Sequence, residues 1–209
     1  MPPRKKQAQQ APLDQAFYRR SAVEVAPDLL GRWLFRQSEA ELTAGRIVEV
    51  EAYLGGDDPA SHAYRGPSRR NATMFGPPGR AYVYTIHTRF CINAVTGTEG
   101  VASAVLIRAL EPQLGLPTMA ARRGVEKTLD IARGPGRLCQ AMAIDRDWDG
   151  WDLTLGEQLW IAEGEAVDAA DVFISPRIGI STAQDWPLRF VLRGSPFASG
   201  TRKLRGWLE

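Results

Sequence analysis

Residues 45–55 read Gly-Arg-Ile-Val-Glu-Val-Glu-Ala-Tyr-Leu-Gly, with β-branched and charged positions interleaved as a strand requires. Successive strand side chains point to opposite faces. Arg46, Val48, Val50 and Ala52 are therefore expected on one side, and Ile47, Glu49, Glu51 and Tyr53 on the other. Upstream, Ser21-Ala-Val-Glu24 has capping-box spacing. Pro27 then either opens a helix after a short turn or kinks one already begun. Leu29, Leu30 and Trp33 supply the apolar side of that helix and Gly31 ends it. Trp33–Arg36 and Ala44–Leu54 read as strands joined by a polar hairpin at Gln37–Glu41. Further strands are expected at Ala81–Ile86, with Tyr82 and Tyr84 on one face, and at Phe90–Val95, Val101–Leu110, Leu159–Ala162, Arg177–Ser181 and Leu188–Arg193. Thr118–Arg123 is a short helix closed by Gly124, and Gly134–Ile144 carries Pro135 at the first turn of another. Residues 55–80 form a long irregular stretch rich in Gly, Pro, Asp and Arg, and loops of this length in a compact domain commonly carry function. Strands outnumber helices, and their connections are too irregular for βαβ repetition. The expected fold is a single α+β domain around a curved, mostly antiparallel sheet.

The 209 residues, 44% of them hydrophobic, suffice for one well-cored domain, taken as residues 14–209. Residues 1–13 read as a solvated, mobile basic tail without the apolar stretch of a signal peptide, and no run approaches the roughly 20 apolar residues of a membrane span. Cys91 and Cys139 lie far apart with no CxxC partner, which points to free thiols in a reducing cytoplasm. The formal charge of +2 hides blocks of opposite sign. Residues 60–123 hold eight Arg against Glu99 and Glu111, whereas residues 124–176 hold eleven acids against four bases. Such blocks either present one positive face, as a phosphate backbone requires, or pair with each other in the fold. The 22 Arg against four Lys suit phosphate contacts, but follow equally from a GC-rich genome.

Several chemistries lack their residues. Only His62 and His87 are available as imidazoles, with no metal-ligand spacing, so no metal or cofactor is expected. No G-x-S-x-G elbow supports a serine nucleophile, and no glycine-rich fingerprint supports a dinucleotide. A carboxylate two places before a phenol, at the end of a strand opening into Gly55-Gly56, suits a site that activates water beside a planar ring. Glu51 is the candidate for that chemistry. Tyr53, His62, Tyr82 and Tyr84 are polar-tipped rings fit to grip a flat ligand. Arg65, Arg69, Arg70, Arg80 and Arg89 lie among them, as nucleic-acid binding requires. An inert DNA- or RNA-binding module and a hydrolase of free nucleosides are the competing readings. Glu51 is unfavourable beside a phosphate track in the first, and the Arg-rich loop has no phosphate to meet in the second.

Nine segments in order carry a specific resemblance: GRIVEVEAYLG (45–55), His62, Arg69-Arg70-Asn71 with Met74-Phe75, YVY (82–84), FCIN (90–93), LIRALEP (106–112), GRLCQAMA (136–143), RIGI (177–180) and LRFVLRGSP (188–196). Together they resemble the alkyladenine (3-methyladenine) DNA glycosylase family over nearly the whole chain from Leu13. The resemblance implies a metal-independent, monofunctional enzyme that flips alkylated or deaminated purines out of duplex DNA. It would hydrolyse the N-glycosidic bond and leave an abasic site. By the same resemblance Glu51 positions and deprotonates the attacking water, and Tyr53, His62 and Tyr84 sandwich the extruded base. Asn93 disfavours guanine by crowding its 2-amino group, Arg108 lies near the target nucleotide's phosphate, and Arg70 contacts the backbone. His87 stands where the family usually has a tyrosine wedge, in a segment one residue shorter than the family form, so His87, Arg89 or both are expected to fill the gap in the base stack. Duplex DNA is the expected partner, with no membrane, and the protein is expected to be a cytoplasmic monomer.

Overall fold

The computed structural model describes residues 10–39 and 41–206. One sheet of eight strands organises them: β1 (Trp33–Gln37), β2 (Leu42–Tyr53), β3 (Ala81–Ile86), β4 (Arg89–Thr96), β5 (Ser103–Leu114), β6 (Leu159–Ala162), β7 (Val172–Ser175) and β8 (Arg189–Leu192). The main order is β3-β4-β5-β2-β1-β6, every pairing antiparallel, with β8 joining β2 to β7. Four helices accompany it: α1 (Gln15–Tyr18), α2 (Ala22–Leu29), α3 (Leu116–Arg123) and α4 (Pro135–Met142). The α+β expectation holds. Of the expected tail, residues 1–9 lie outside the described residues. Pro12 bridges Ala162, and Leu13 is buried with its N–H donated to the Ile161 carbonyl.

The capping box at Ser21 and Glu24 is formed, so α2 begins at Ala22 and runs through Pro27 rather than starting there. Val25, Ala26 and Leu29 of α2, with Leu138, Cys139 and Met142 of α4, pack on one face of the sheet against Val50, Ala52, Ile92, Val105 and Ile107. Trp33 belongs to β1, not to the apolar side of α2, and stacks on Phe35. Gly124 closes α3 in the left-handed conformation, with φ 62°.

Two departures from the expected pattern matter for the site. The alternation assigned to β2 breaks at a bulge. Register shifts fall between Ile47, Glu49 and Val50, and the β5 partners step from Ala109 to Ile107. Val48 and Arg108 are thereby left outside the paired register, and Ile47 joins Val50 and Ala52 in the core instead of sharing a face with Glu49 and Glu51. An extra residue shifts the two-residue period by one, so the faces exchange there. At the same place β2 changes neighbour, pairing β1 through Leu42–Arg46 and β8 through Glu49–Glu51. Second, Arg177–Ser181 is not a strand. The strand before β8 is Val172–Ser175, and residues 177–182 form a loop. Pro176 lacks the ladder donor and Gly179 takes φ 81°, which together take the chain off the sheet.

Candidate active site

Opposite the helices, the loop spanning residues 55–80 covers the other face of the sheet. Ala63 and Met74 from this loop pack with Tyr82, Val95 and Ala104 of β3, β4 and β5. The register sets a row across four strands: Glu51 pairs with Leu106, Leu106 with Asn93, and Asn93 with Tyr82. With strands about 4.8 Å apart, Glu51 and Asn93 stand roughly 10 Å apart at the backbone. A cavity of about 540 Å³ opens over this row, lined by Tyr53, His62, Tyr84, Asn93, Leu106 and Arg108 among others. That size falls in the ordinary range for a small-molecule site.

Glu51 has no exposed surface. Its Oε2 accepts from the Tyr53 hydroxyl at 3.0 Å and from Arg108 Nη1 at 3.1 Å, and its Oε1 accepts from the Ile178 backbone N–H at 2.9 Å. All three donors line the cavity, so the carboxylate lies directly behind its wall. Burial, then the neighbouring Glu51 charge, pushes the Tyr53 phenol well above its ordinary pKa, which keeps it a neutral donor. Arg108 sits at the bulge, where a side chain can be re-aimed. It is expected beside the nucleotide's phosphate; its Nη1 is on Glu51, and its Nε donates to Glu49 at 3.1 Å.

Glu49, which the sequence reading placed beside Glu51 without a role, is the hub of a second, fully buried layer. Its Oε1 accepts from Arg189 Nε at 2.7 Å and from Ser199 Oγ at 2.8 Å, and its Oε2 accepts from the Ser199 N–H at 2.6 Å. Burial alone would raise the Glu49 pKa, but Arg108, Arg189 and the Ser199 donors outweigh it and hold it below the ordinary carboxylate value. Arg177 and Asp58 form another fully buried pair, at 2.5 and 2.8 Å, and the Arg177 guanidinium lies 4.6 Å from the Tyr53 ring centre. This pair anchors the loop that carries Ile178. None of Glu49, Asp58, Arg177, Ile178, Arg189 and Ser199 received a role from the sequence, although Glu49, Arg177, Ile178 and Arg189 lie in segments that carry the resemblance. The signal present was the phase of Glu49, two residues before Glu51.

Tyr53, His62, Tyr82 and Tyr84 all line the one cavity. His62 meets Tyr84 edge-on at 4.5 Å, its Nδ1 lies 2.9 Å from the Tyr82 hydroxyl, and the Tyr82 and Tyr84 rings are 5.4 Å apart. Burial, then Arg70, lowers the His62 pKa, and burial, then Asp149, raises that of Tyr82 to about 12. Asn93 is buried, with its Nδ2 donated to the Tyr82 carbonyl at 2.9 Å. Arg70 is exposed on the loop, and Asn71 is the residue that ties that loop, donating to the His62 and Gly66 carbonyls and accepting from Ser68.

His87 occupies the first turn position of the two-residue β3–β4 hairpin, exposed and at φ 51°. Arg89 is held down on α4, donating to Gln140 Oε1 at 2.5 Å, with its aliphatic part against Gly136. Beside them Ile86, 46% exposed at the cavity rim, is an apolar contact surface that sequence reasoning passed over. Among the described residues no group of three or more His, Cys, Asp or Glu could hold a metal ion, and no helix is long and apolar enough to cross a membrane. Both cysteines are buried free thiols, and Cys91 lines the cavity.

The sequence profile of the methylpurine-DNA glycosylase family matches residues 16–196. A protein of Methanoculleus marisnigri is 50% identical over 190 residues, covering 90% of this chain and 98% of its own. One from Koribacter versatilis is 46% identical over 206 residues, covering 97% and 100%. One from Carboxydothermus hydrogenoformans is 46% identical over 188 residues, covering 90% and 98%. All three are provisionally named 3-methyladenine DNA glycosylases. With matches of this length and identity to a site whose parts meet in one cavity, the chain belongs to the methylpurine-DNA glycosylase family.

Proposed function

We propose that this DNA glycosylase draws a damaged purine nucleotide out of duplex DNA into the cavity and cleaves its N-glycosidic bond with a water activated by Glu51. The observation that carries the reading is the buried Glu51 carboxylate, held by three donors that themselves line an aromatic-walled cavity. A carboxylate offers about four acceptor sites. Tyr53 and Arg108 occupy Oε2, and Ile178 occupies one position on Oε1, so one Oε1 lone pair has no protein donor and would accept from a water admitted through the cavity wall.

N3- or N7-alkylation puts positive charge on the purine, and the base then departs with the bonding electron pair at little cost. The sugar becomes oxocarbenium-like, and the negative Glu51 stabilises it. Water oxygen bonds to C1′ as the glycosidic bond breaks, and its proton passes to Glu51. Extrusion costs a few kcal/mol, less where damage weakens pairing. Stacking between Tyr53, Tyr84 and His62 would return about 1–3 kcal/mol per ring. Asn93, two strands from Glu51 in the row, would read the base edge, Arg70 would meet the backbone, and the tip formed by Ile86 and His87 would fill the vacated stack. Arg108 acts on the carboxylate pair, fixing Glu51.

Single-lesion duplexes carrying 3-methyladenine, 7-methylguanine, hypoxanthine or ethenoadenine, followed by alkali cleavage and gel analysis, test the reading. Strand breaks at one or more lesions and none in undamaged duplex are expected. Uncleaved strands across the whole panel would overturn it.

A further inference from the structure

On the other side of the His62–Tyr84 wall lies a second cavity of about 620 Å³. It shares His62, Tyr82, Tyr84 and Ile86 with the first, and its own side is built by Ser68, Arg70, Thr85 and Arg146. One cavity is bounded by a carboxylate layer and rings. The other is bounded by two guanidiniums and hydroxyls.

Arg146 comes from the acidic block of the sequence, in a short 3-10 turn, Arg146–Trp148. Its Nη1 donates to the Val83 carbonyl at 2.5 Å and its Nη2 lies 3.3 Å from Asp149. Asp149 is itself committed, accepting from the Val83 N–H at 2.9 Å and from Thr73 at 3.0 Å. These contacts fix the guanidinium against β3 while 45% of the side chain stays exposed. Arg70 also lines the cavity, on a loop fastened by Asn71, and enters no ion pair among the described residues. Both cations line one cavity with His62 and Tyr82. Two guanidiniums lining a common cavity that also carries hydroxyl groups suit an anion with several oxygens.

We propose that this second cavity is a phosphodiester subsite that holds the backbone next to the extruded nucleotide, with Arg146 as its fixed cation alongside Arg70. The subsite rests on the glycosylase reading, since the shared aromatic wall would then separate the flipped base from the phosphate beside it. Arg146 gains its place through β3, whose Val83 is flanked by Tyr82 and Tyr84, so backbone and base would be gripped by one strand.

The test is fluorescence anisotropy of wild type, Arg146→Ala and Arg146→Lys on a lesion duplex across a salt series, repeated with single methylphosphonates on either side of the lesion. Thermal melts establish that each variant folds. Arg146→Gln, which keeps a donor for the Val83 carbonyl, stands in if the alanine variant does not fold. Loss of one phosphate contact makes the slope of log K against log[salt] shallower by about 0.9. Arg146→Ala should show that change, Arg146→Lys should largely restore the slope, and one methylphosphonate position should weaken wild type but not the alanine variant. An unchanged slope, or no position coupled to Arg146, overturns the subsite. Inorganic phosphate that binds wild type and not Arg146→Ala, yet leaves duplex affinity at equal ionic strength unchanged, would assign the cavity to free anions and also overturn it. Excision by wild type with an unchanged Arg146→Ala slope sinks the subsite alone. Lesion duplexes left intact by wild type sink the glycosylase reading itself.

Discussion

Glu49→Gln isolates the contribution of the buried layer behind the site. In wild type two carboxylates, Glu49 and Glu51, face two guanidiniums, Arg108 and Arg189, with almost no solvent contact. The variant leaves one carboxylate for two cations. Breaking such a buried pair costs about 3–5 kcal/mol. The glutamine should fall near the lower end, because its carbonyl still accepts from Ser199 or Arg189, and Arg189 keeps the Ser175 hydroxyl and the Leu204 carbonyl. Against a total domain stability of about 5–15 kcal/mol the loss is large. Urea unfolding followed by tryptophan fluorescence measures it. The folded-state pKa of Glu49 lies below its unfolded value, so its stabilisation is complete above the ordinary carboxylate pKa and is lost as pH falls through the folded value. Wild type and variant should therefore differ by about 3 kcal/mol at pH 7 and converge in acid. A difference under about 1 kcal/mol at pH 7, or a gap that stays constant into acid, would refute the buried-pair reasoning.

Tyr84→Ala removes the ring packed on His62, and should cost about 1–3 kcal/mol of lesion-duplex affinity with a smaller loss on undamaged duplex; equal losses in a binding titration would deny the stacking wall. Asn93→Ser withdraws the amide from the cavity and should raise excision of guanine relative to adenine lesions; an unchanged ratio in gel assays would remove Asn93 from base selection. Arg70→Gln removes the cation that, after burial, lowers the His62 pKa, and the imidazole should titrate closer to its ordinary value of about 6.5. Histidine NMR titration reads that change directly, and an unmoved midpoint would mean that Arg70 does not act on His62.

What the sequence made legible follows from how each feature is encoded. The strands β3 and β4 and the caps of α2 and α3 are written in local periodicity and turn chemistry, and the structure has them. Tyr53, His62, Tyr84 and Asn93 were reached through residue type and resemblance, and the structure brings them to one cavity. The bulge in β2 was not legible, because Ile47 and Val48 are both apolar and either fits the core phase; only the break in pairing with β5, which leaves Val48 and Arg108 without partners in the register, reveals it. Glu49 was invisible as a hub because its partners, Arg189 and Ser199, lie 140 and 150 positions away. The loop 177–182 was mistaken for a strand because Ile178 and Ile180 alternate, although Pro176 and Gly179 argue otherwise. The charge blocks pair in part, through Arg80 with Asp152, while Arg65, Arg69 and Arg70 enter no ion pair among the described residues. Both readings of the charge pattern thus have a share.

The account turns on a water made nucleophilic by one carboxyl group. Replacing Glu51 by glutamine keeps an acceptor for the Ile178 N–H and nearly the same volume, but leaves Glu49 alone against Arg108 and Arg189, so a urea melt first establishes that the variant folds. Single-turnover excision and equilibrium binding on the same lesion duplex give the most direct test. Glu51→Gln should bind the lesion within a few-fold of wild type and release no base on the time scale of wild-type turnover. Substantial base release by the folded variant would contradict the account.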